Sequence, residues 1–210
     1  MSEYSETALS EAITARLCHD LIGPMGAVHN GVELAEESET ATESEDIMSM
    51  VKESAKQAWG RLAFFRAAFG SGGGQDNWSG KDMEALLEGA LATKRLSFAR
   101  SGSLAQADYA LSLDNARLLF GIAMAAAECL PRGGVVTILA GGAPDAPTLA
   151  AMGEGDRAEL KDEVNQALSG AAPDARTAHL SLLAVRAKAM GRAVKAEAEG
   201  RKTTWQIVAG

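Results

Sequence analysis

Arg16-Leu17-Cys18-His19-Asp20-Leu21-Ile22-Gly23-Pro24 is the stretch on which the reading of this chain turns. It lies inside a helical pattern: Leu9, Ile13, Leu17, Leu21, Pro24, Val28 and Val32 recur at spacings of three and four, one apolar face of a helix. The pattern predicts a helix from about Thr7 to Glu36, kinked by Pro24 one turn beyond His19. At about 100° per residue, His19 falls opposite the apolar stripe and points outward. Its own face carries Ala12, Ala15, Arg16, Gly23, Gly26 and Asn30, mostly small residues. Each glycine inside a helix costs about 1 kcal/mol relative to alanine. A bare patch that lets another protein close over the ring would give Gly23 and Gly26 a purpose; bending near Pro24 is the competing explanation.

Working outward, Glu36 to Glu43 reads as a polar connection to a second helix, from about Ser44 to Phe69. That helix carries Ile47, Val51, Ala55, Ala58, Leu62, Phe65 and Phe69 on one side, with Gly70 as its expected cap. Two helices on a short link form an antiparallel hairpin. A lone hairpin leaves apolar surface uncovered, and two copies close into a four-helix bundle, so a homodimer is expected. Ser71-Gly72-Gly73-Gly74-Gln75-Asp76-Asn77 reads as a joint. The predicted organisation is a helical hairpin over 1–70, a linker over 71–80 and a second domain over 81–210. The second domain reads helix Lys81 to Lys94, strands Arg95 to Ala99 and Tyr109 to Leu113, helix Asn115 to Leu130, and strands Val135 to Ala140 and Pro147 to Met152. Helices Asp156 to Leu168 and Ala175 to Met190 follow, then a hairpin of Ala193 to Ala198 and Thr203 to Val208 turned by Glu199-Gly200. The fold class is α+β, a sheet with helices on one face.

Composition narrows the function. With 47% hydrophobic residues the 210-residue chain can bury a real core, and only 5% aromatics favours helices packed through small residues. A net charge of −8 argues against nucleic acid, which needs a basic stripe. Cys18 and Cys129 have no metal-ligand spacing and are expected to be reduced core residues. The acidic, polar start is the opposite of a signal peptide, and no apolar run reaches about 18 residues. No membrane partner and a cytoplasmic location are therefore expected.

His19 carries the chemistry. An imidazole is one of few side chains able to attack an acyl phosphate at neutral pH. Asp20 is placed to hydrogen-bond the far ring nitrogen or to stabilise a protonated ring. Adjacent helical residues do not normally face each other, which leaves a merely solvated acid as the alternative. Arg16 lies one turn earlier on the same face, positioned for an incoming phosphoryl group or an acidic partner. His29 and His179 lack this context and read as surface or structural residues.

His19-Asp20-Leu21-Ile22-Gly23-Pro24 resembles the H-box of two-component histidine kinases. Leu17-Cys18-His19-Asp20-Leu21-Ile22 followed by Pro24 is more closely similar to ChpT-type histidine phosphotransferases of alphaproteobacteria. The resemblance continues through Arg66-Ala67-Ala68-Phe69-Gly70 and Leu130-Pro131-Arg132-Gly133-Gly134-Val135-Val136-Thr137, nearly the whole chain. It implies a dimeric kinase-like bundle joined to a degenerate GHKL ATPase-like domain. It implies a relay of phosphoryl groups between receiver-domain aspartates through phospho-His19. The implied partners are the receiver of a hybrid histidine kinase and response regulators of the CtrA and CpdR kinds. Magnesium is expected on the receiver, with no metal or cofactor of this chain's own. Receiver contacts are expected at Leu21, Ile22, Gly23, Met25 and Gly26, helped by Arg16, Arg61 and Arg66.

The resemblance also explains the word degenerate. A kinase needs asparagines in its N-box helix, yet the matching stretch reads Gly121-Ile122-Ala123-Met124-Ala125-Ala126-Ala127-Glu128. The Asp-x-Gly-x-Gly turn is replaced by Ala151-Met152-Gly153-Glu154-Gly155, and the second glycine box by Arg176-Thr177-Ala178-His179-Leu180. Without those glycines a backbone cannot wrap a triphosphate, so ATP is not an expected ligand. Glu128 reads as a solvated or structural acid. Gly23 stands where phosphatase-competent kinases often carry a polar residue, which counts against assisted dephosphorylation. An ATP-dependent kinase with an unusual nucleotide site, or a non-catalytic dimeric scaffold sequestering a response regulator, are the alternative functions.

Overall fold

The computed structural model describes residues 4–70 and 76–210. Helix α1 runs Glu6–Glu37 and helix α2 runs Ala41–Phe69. Each opens on a side-chain cap: the Ser5 hydroxyl accepts from the Ala8 N–H, and the Thr40 hydroxyl from the Glu43 N–H. Only Ser38, Glu39 and Thr40 separate them, a tighter connection than the acidic run suggested. The two helices approach so closely that a Cβ on Gly31 would lie 2.5 Å from Val51 Cγ2.

Helix α1 continues through Pro24. Proline has no N–H, so the carbonyl one turn back, that of Asp20, lacks its intrahelical donor. Arg61 of α2 donates a guanidinium N–H to that carbonyl instead. The expected apolar stripes are only partly covered. Leu17 and Leu21 pack against the core and Val51, Ala58 and Phe65 are buried, whereas Val32, Ala55 and Leu62 are exposed. Cys18, expected in the core, is exposed on this chain, because it sits on the flank of α1 that neither α2 nor the second unit covers; Cys129 is buried.

The remaining elements are β1 (Asn77–Ser79), α3 (Gly80–Leu91), β2 (Leu96–Gly102), β3 (Ala110–Ser112), α4 (Leu113–Glu128), β4 (Gly134–Gly141) and β5 (Thr148–Glu154). They are followed by α5 (Asp162–Leu168), α6 (Ala178–Ala189), β6 (Arg192–Glu199) and β7 (Lys202–Ala209). Five strands form one sheet in the order β2-β4-β5-β7-β6, parallel between β2 and β4 and antiparallel elsewhere. Alternation along the strands buries one face (Val136, Ile138, Leu149, Ala151, Trp205, Ile207) under the helices, with Val135 and Met152 open on the other. Ile138 pairs with Ala151, which pairs with Trp205, so the register aligns this buried row. Helix α4 is the central element, apolar and buried for most of its length.

Three segments differ from expectation. The strand at Ala110–Ser112 is not in the main sheet but pairs with β1, Trp78 opposite Leu111. Strand β1 occupies part of the stretch read as linker, whose residues 71–75 lie outside the described residues. Helix α5 starts at Asp162, not Asp156; the segment before it is anchored by the Glu159 N–H donating to the Cys129 carbonyl at 2.9 Å.

The core does not stop at the hairpin. Phe64 of α2 meets Phe120 of α4 edge-on at 5.7 Å, and Trp78 meets Phe120 at 5.2 Å. Arg117 of α4 donates to the Ala67 carbonyl at 3.4 Å and to that of Gly70, and Arg186 of α6 donates to that of Ala68. These cations sit where the negative end of the helix dipole favours them. Gly70 caps α2 in an extended conformation, and its lack of a Cβ is required because that atom would stand 2.5 Å from the Arg66 carbonyl.

Candidate functional site

His19 projects from α1 with its side chain 81% exposed. Asp20 Oδ1 lies 3.0 Å from Nδ1 of the ring, so the two adjacent side chains meet despite the helical spacing that usually separates neighbours. With Nδ1 as the protonated nitrogen this contact is a hydrogen bond, and the lone pair facing outward is on Nε2.

Asp20 is held in turn. Its other carboxylate oxygen accepts from Arg16 Nε at 2.6 Å, an i,i+4 pair on α1. The same guanidinium reaches across to the second unit, donating from Nη2 to Glu128 Oε1 at 2.5 Å and from Nη1 to the Arg176 carbonyl at 3.2 Å. Glu128 presents its second oxygen 3.2 Å from Nε2 of His179, a ring with no exposed side-chain surface. A continuous chain therefore runs His19, Asp20, Arg16, Glu128, His179, from an open imidazole to a buried one.

Glu128 and Arg16 stabilise each other's charge. Burial is the largest single influence on the Glu128 carboxyl and pushes its pKa up. The nearby His179 and then Arg16 outweigh it and hold the group at about 2. Arg16 is affected most by its own desolvation, which favours the neutral form, but Glu128 and Asp20 raise its pKa above the ordinary value. Both stay charged near neutrality.

A cleft of about 390 Å³ opens beside this network, lined by His19, Asp20, Arg16, Glu128, Lys161 and Arg176 among others. A second, of about 1050 Å³, lies on the other flank of α1 and shares Arg16, Asp20 and Glu128 with the first, adding Lys56 and Arg61. The imidazole thus borders the first cleft, whose lining carries Lys161 and Arg176 together with Glu159 and Glu163.

The structure separates the residues singled out from sequence. His19, Asp20 and Arg16 come together directly. Ile22, at 73% exposed, and Met25 lie on open surface, and a Cβ on Gly23 or Gly26 would meet nothing within 4 Å. The N-terminal half of the expected bare face is partly covered instead, with Ala15 left exposed. Ala12 is buried and Arg16 half-buried, because α1 packs there against α6, with the Tyr4 hydroxyl donating to the Ser181 carbonyl at 3.4 Å. Arg61 is engaged with Asp20 through the backbone, and Arg66 is exposed near the end of α2.

Glu128 and His179 were read as structural or solvated; the structure joins both to the site. One signal for Glu128 exists in the sequence. An acid in the last turn of a helix opposes the helix dipole, and Glu128 is the only charge in an otherwise apolar stretch. His179 and the Arg176 carbonyl both come from segment 176–180. Gly153 and Gly155 have packing roles. A Cβ on Gly153 would lie 2.8 Å from Thr203 Oγ1, and one on Gly155 2.3 Å from the Gly133 carbonyl oxygen. No described helix is long and apolar enough to cross a membrane.

Known proteins share this architecture. The family model for the histidine phosphotransferase C-terminal domain matches residues 80–202. The protein phosphotransferase ChpT of Brucella abortus (strain 2308) is 30% identical over 168 residues, 79% of this chain and 77% of the relative. A solved bacterial phosphotransferase matches with a TM-score of 0.82 at 26% identity, over 97% of both chains. An exposed imidazole backed by an acid, on a hairpin joined to a unit of this type, is thus found in a chain that belongs to the histidine phosphotransferase family.

Proposed function

We propose that this protein relays phosphoryl groups between receiver-domain aspartates of a two-component pathway, with His19 as the acceptor and donor. The observation that carries the reading is the open His19 ring with Nδ1 held 3.0 Å from Asp20. The Nε2 lone pair attacks the phosphorus of an aspartyl phosphate, and the N–P bond forms as the P–O bond to the aspartate breaks. The leaving group is the receiver's carboxylate. Nδ1 keeps its proton, so positive charge develops on the ring, directly opposite the Asp20 carboxylate. Reversal of the same step loads the next receiver. Neither step needs a proton to leave the ring.

The receiver supplies magnesium, and this chain holds no metal or nucleotide of its own during transfer. Receivers are acidic around their phosphorylated aspartate. The cleft beside His19 mixes Lys161 and Arg176 with Glu159 and Glu163, so docking rests mainly on the apolar contact that exposed Ile22 and Met25 provide beside the open backbone at Gly23 and Gly26. The family resemblance supplies a hybrid-kinase receiver as donor and CtrA-type and CpdR-type regulators as acceptors, all cytoplasmic.

The protein acts as a homodimer. Met48, Ala55, Trp59 and Leu62 form an exposed seam on α2 with coiled-coil spacing, the surface a second copy would cover. The test of function is transfer from a purified, labelled phospho-receiver with magnesium. Label moves to wild type and not to His19→Ala. Labelling of His19 by ATP and magnesium in the absence of any receiver would replace this reading with that of a kinase.

A further inference from the structure

We infer that Glu128, backed by His179, is a positioning residue for phosphoryl transfer: the second unit sets the tautomer and aim of His19 through Arg16 and Asp20. The inference rests on His19 being the accepting group. Its basis is the uninterrupted set of contacts described above. Arg16 bridges Asp20 Oδ2 at 2.6 Å and Glu128 Oε1 at 2.5 Å, so one guanidinium fixes both carboxylates. The Arg176 carbonyl, 3.2 Å from Nη1, fixes the guanidinium plane from a third direction.

Asp20 alone would be a poor clamp. An aspartate next to His19 on an exposed helix can rotate to water, and the ring would then exchange between tautomers. Tied to Arg16, which is itself tied to Glu128, the carboxylate keeps one oxygen on Nδ1. Arg16 and Asp20 side chains are 15% and 19% exposed, so the pair is shielded enough for the geometry to persist. In metal sites, a carboxylate that orients a ligating histidine in the same way commonly matters by about 10- to 100-fold in affinity or activity. The kinase-like unit therefore has a task here that involves no nucleotide: segment 176–180 and the end of α4 now grip the residue that orients the histidine.

A purely structural role for the network is the competing explanation, and three measurements separate the two. First, nitrogen-15 NMR of labelled histidine near pH 8, with the His19 signals assigned by His19→Gln, reports the tautomer. The expected result is a predominantly Nδ1–H ring in wild type and a shift toward the Nε2–H form in Glu128→Gln. Second, single-turnover transfer from a phospho-receiver should fall about tenfold at saturating donor in Glu128→Gln, with half-saturation changed less than about twofold. Third, Arg16→Lys keeps the charge but loses the planar fork that holds Asp20, Glu128 and the Arg176 carbonyl in one geometry, and it should shift the tautomer in the same direction. Glu128→Gln keeps side-chain volume, and Arg16→Lys provides a second variant should the first fold poorly. Wild-type tautomer balance and wild-type saturating rate in folded Glu128→Gln would overturn the inference, provided His19→Ala abolishes transfer. Transfer persisting in His19→Ala would instead remove the relay reading itself.

Discussion

Arg61 of α2 donates to the backbone carbonyl of Asp20, the carbonyl that Pro24 leaves without a donor. The helix that carries His19 is thus completed by its hairpin partner one residue beyond the histidine. Replacing Arg61 with Ala should destabilise the protein by about 1–3 kcal/mol, the usual consequence of leaving a shielded acceptor unpaired. Pro24→Ala restores an N–H at residue 24 and should shrink that loss. A double-mutant cycle read by urea unfolding should give a coupling of about 1 kcal/mol between the two sites. Strict additivity would mean that Arg61 does not substitute for the missing helical bond.

The Glu128 carboxyl is held at about 2, below its ordinary 4.5, by His179 and Arg16 against an opposing burial effect. A depressed carboxylate pKa stabilises the folded state above the unfolded value and loses that contribution as pH falls through the folded one. The stability gap between wild type and Glu128→Gln should therefore be full above about pH 4.5 and close as pH falls toward 2. Urea midpoints measured across that window check it, and a gap that widens on acidification would contradict the pairing.

The exposed seam on α2 predicts oligomeric state. Trp59 and Leu62 are 72% and 50% exposed and lie three residues apart on one face. Wild type should sediment as a dimer, and the pair Trp59→Glu with Leu62→Glu as a folded monomer with unchanged helical circular dichroism. A monomeric wild type, or a dimer undisturbed by both charges, would send the four-helix bundle elsewhere.

The two cysteines should differ in reactivity. Burial, reinforced by Glu128, pushes the Cys129 thiol up to about 11, whereas Cys18 is exposed on α1. Iodoacetamide at pH 8 should label Cys18 and leave Cys129 intact in the folded protein, with both labelled in urea; mass spectrometry of peptides gives the ratio.

These predictions draw on parts of the structure that the sequence revealed unequally. Both long helices were legible because their apolar residues recur at helical spacing, and the strands at Gly134–Gly141 and Lys202–Ala209 because of their β-rich, turn-bounded runs. Strand β1 was hidden: three residues, Asn77-Trp78-Ser79, carry too little pattern, and its pairing with Leu111 is non-local. The exposure of His19 followed from the helical wheel, but the wheel treats a helix as isolated. It could not show that α6 covers Ala12, or that the face of Arg16 meets Glu128 from a segment far along the chain. Individual residues of the site were visible; their connection arises only when α4 and α6 are folded against α1.

The location of the transferred phosphoryl group is the sharpest readout of all. Wild-type protein loaded from a phospho-receiver, examined by phosphorus-31 NMR and by fragmentation mass spectrometry under alkaline conditions, should carry one phosphoryl group per chain, on Nε2 of His19. A phosphoryl group on Nδ1, on His29 or His179, or on any aspartate, with His19 unmodified, would contradict the relay built on the ring that Asp20 holds.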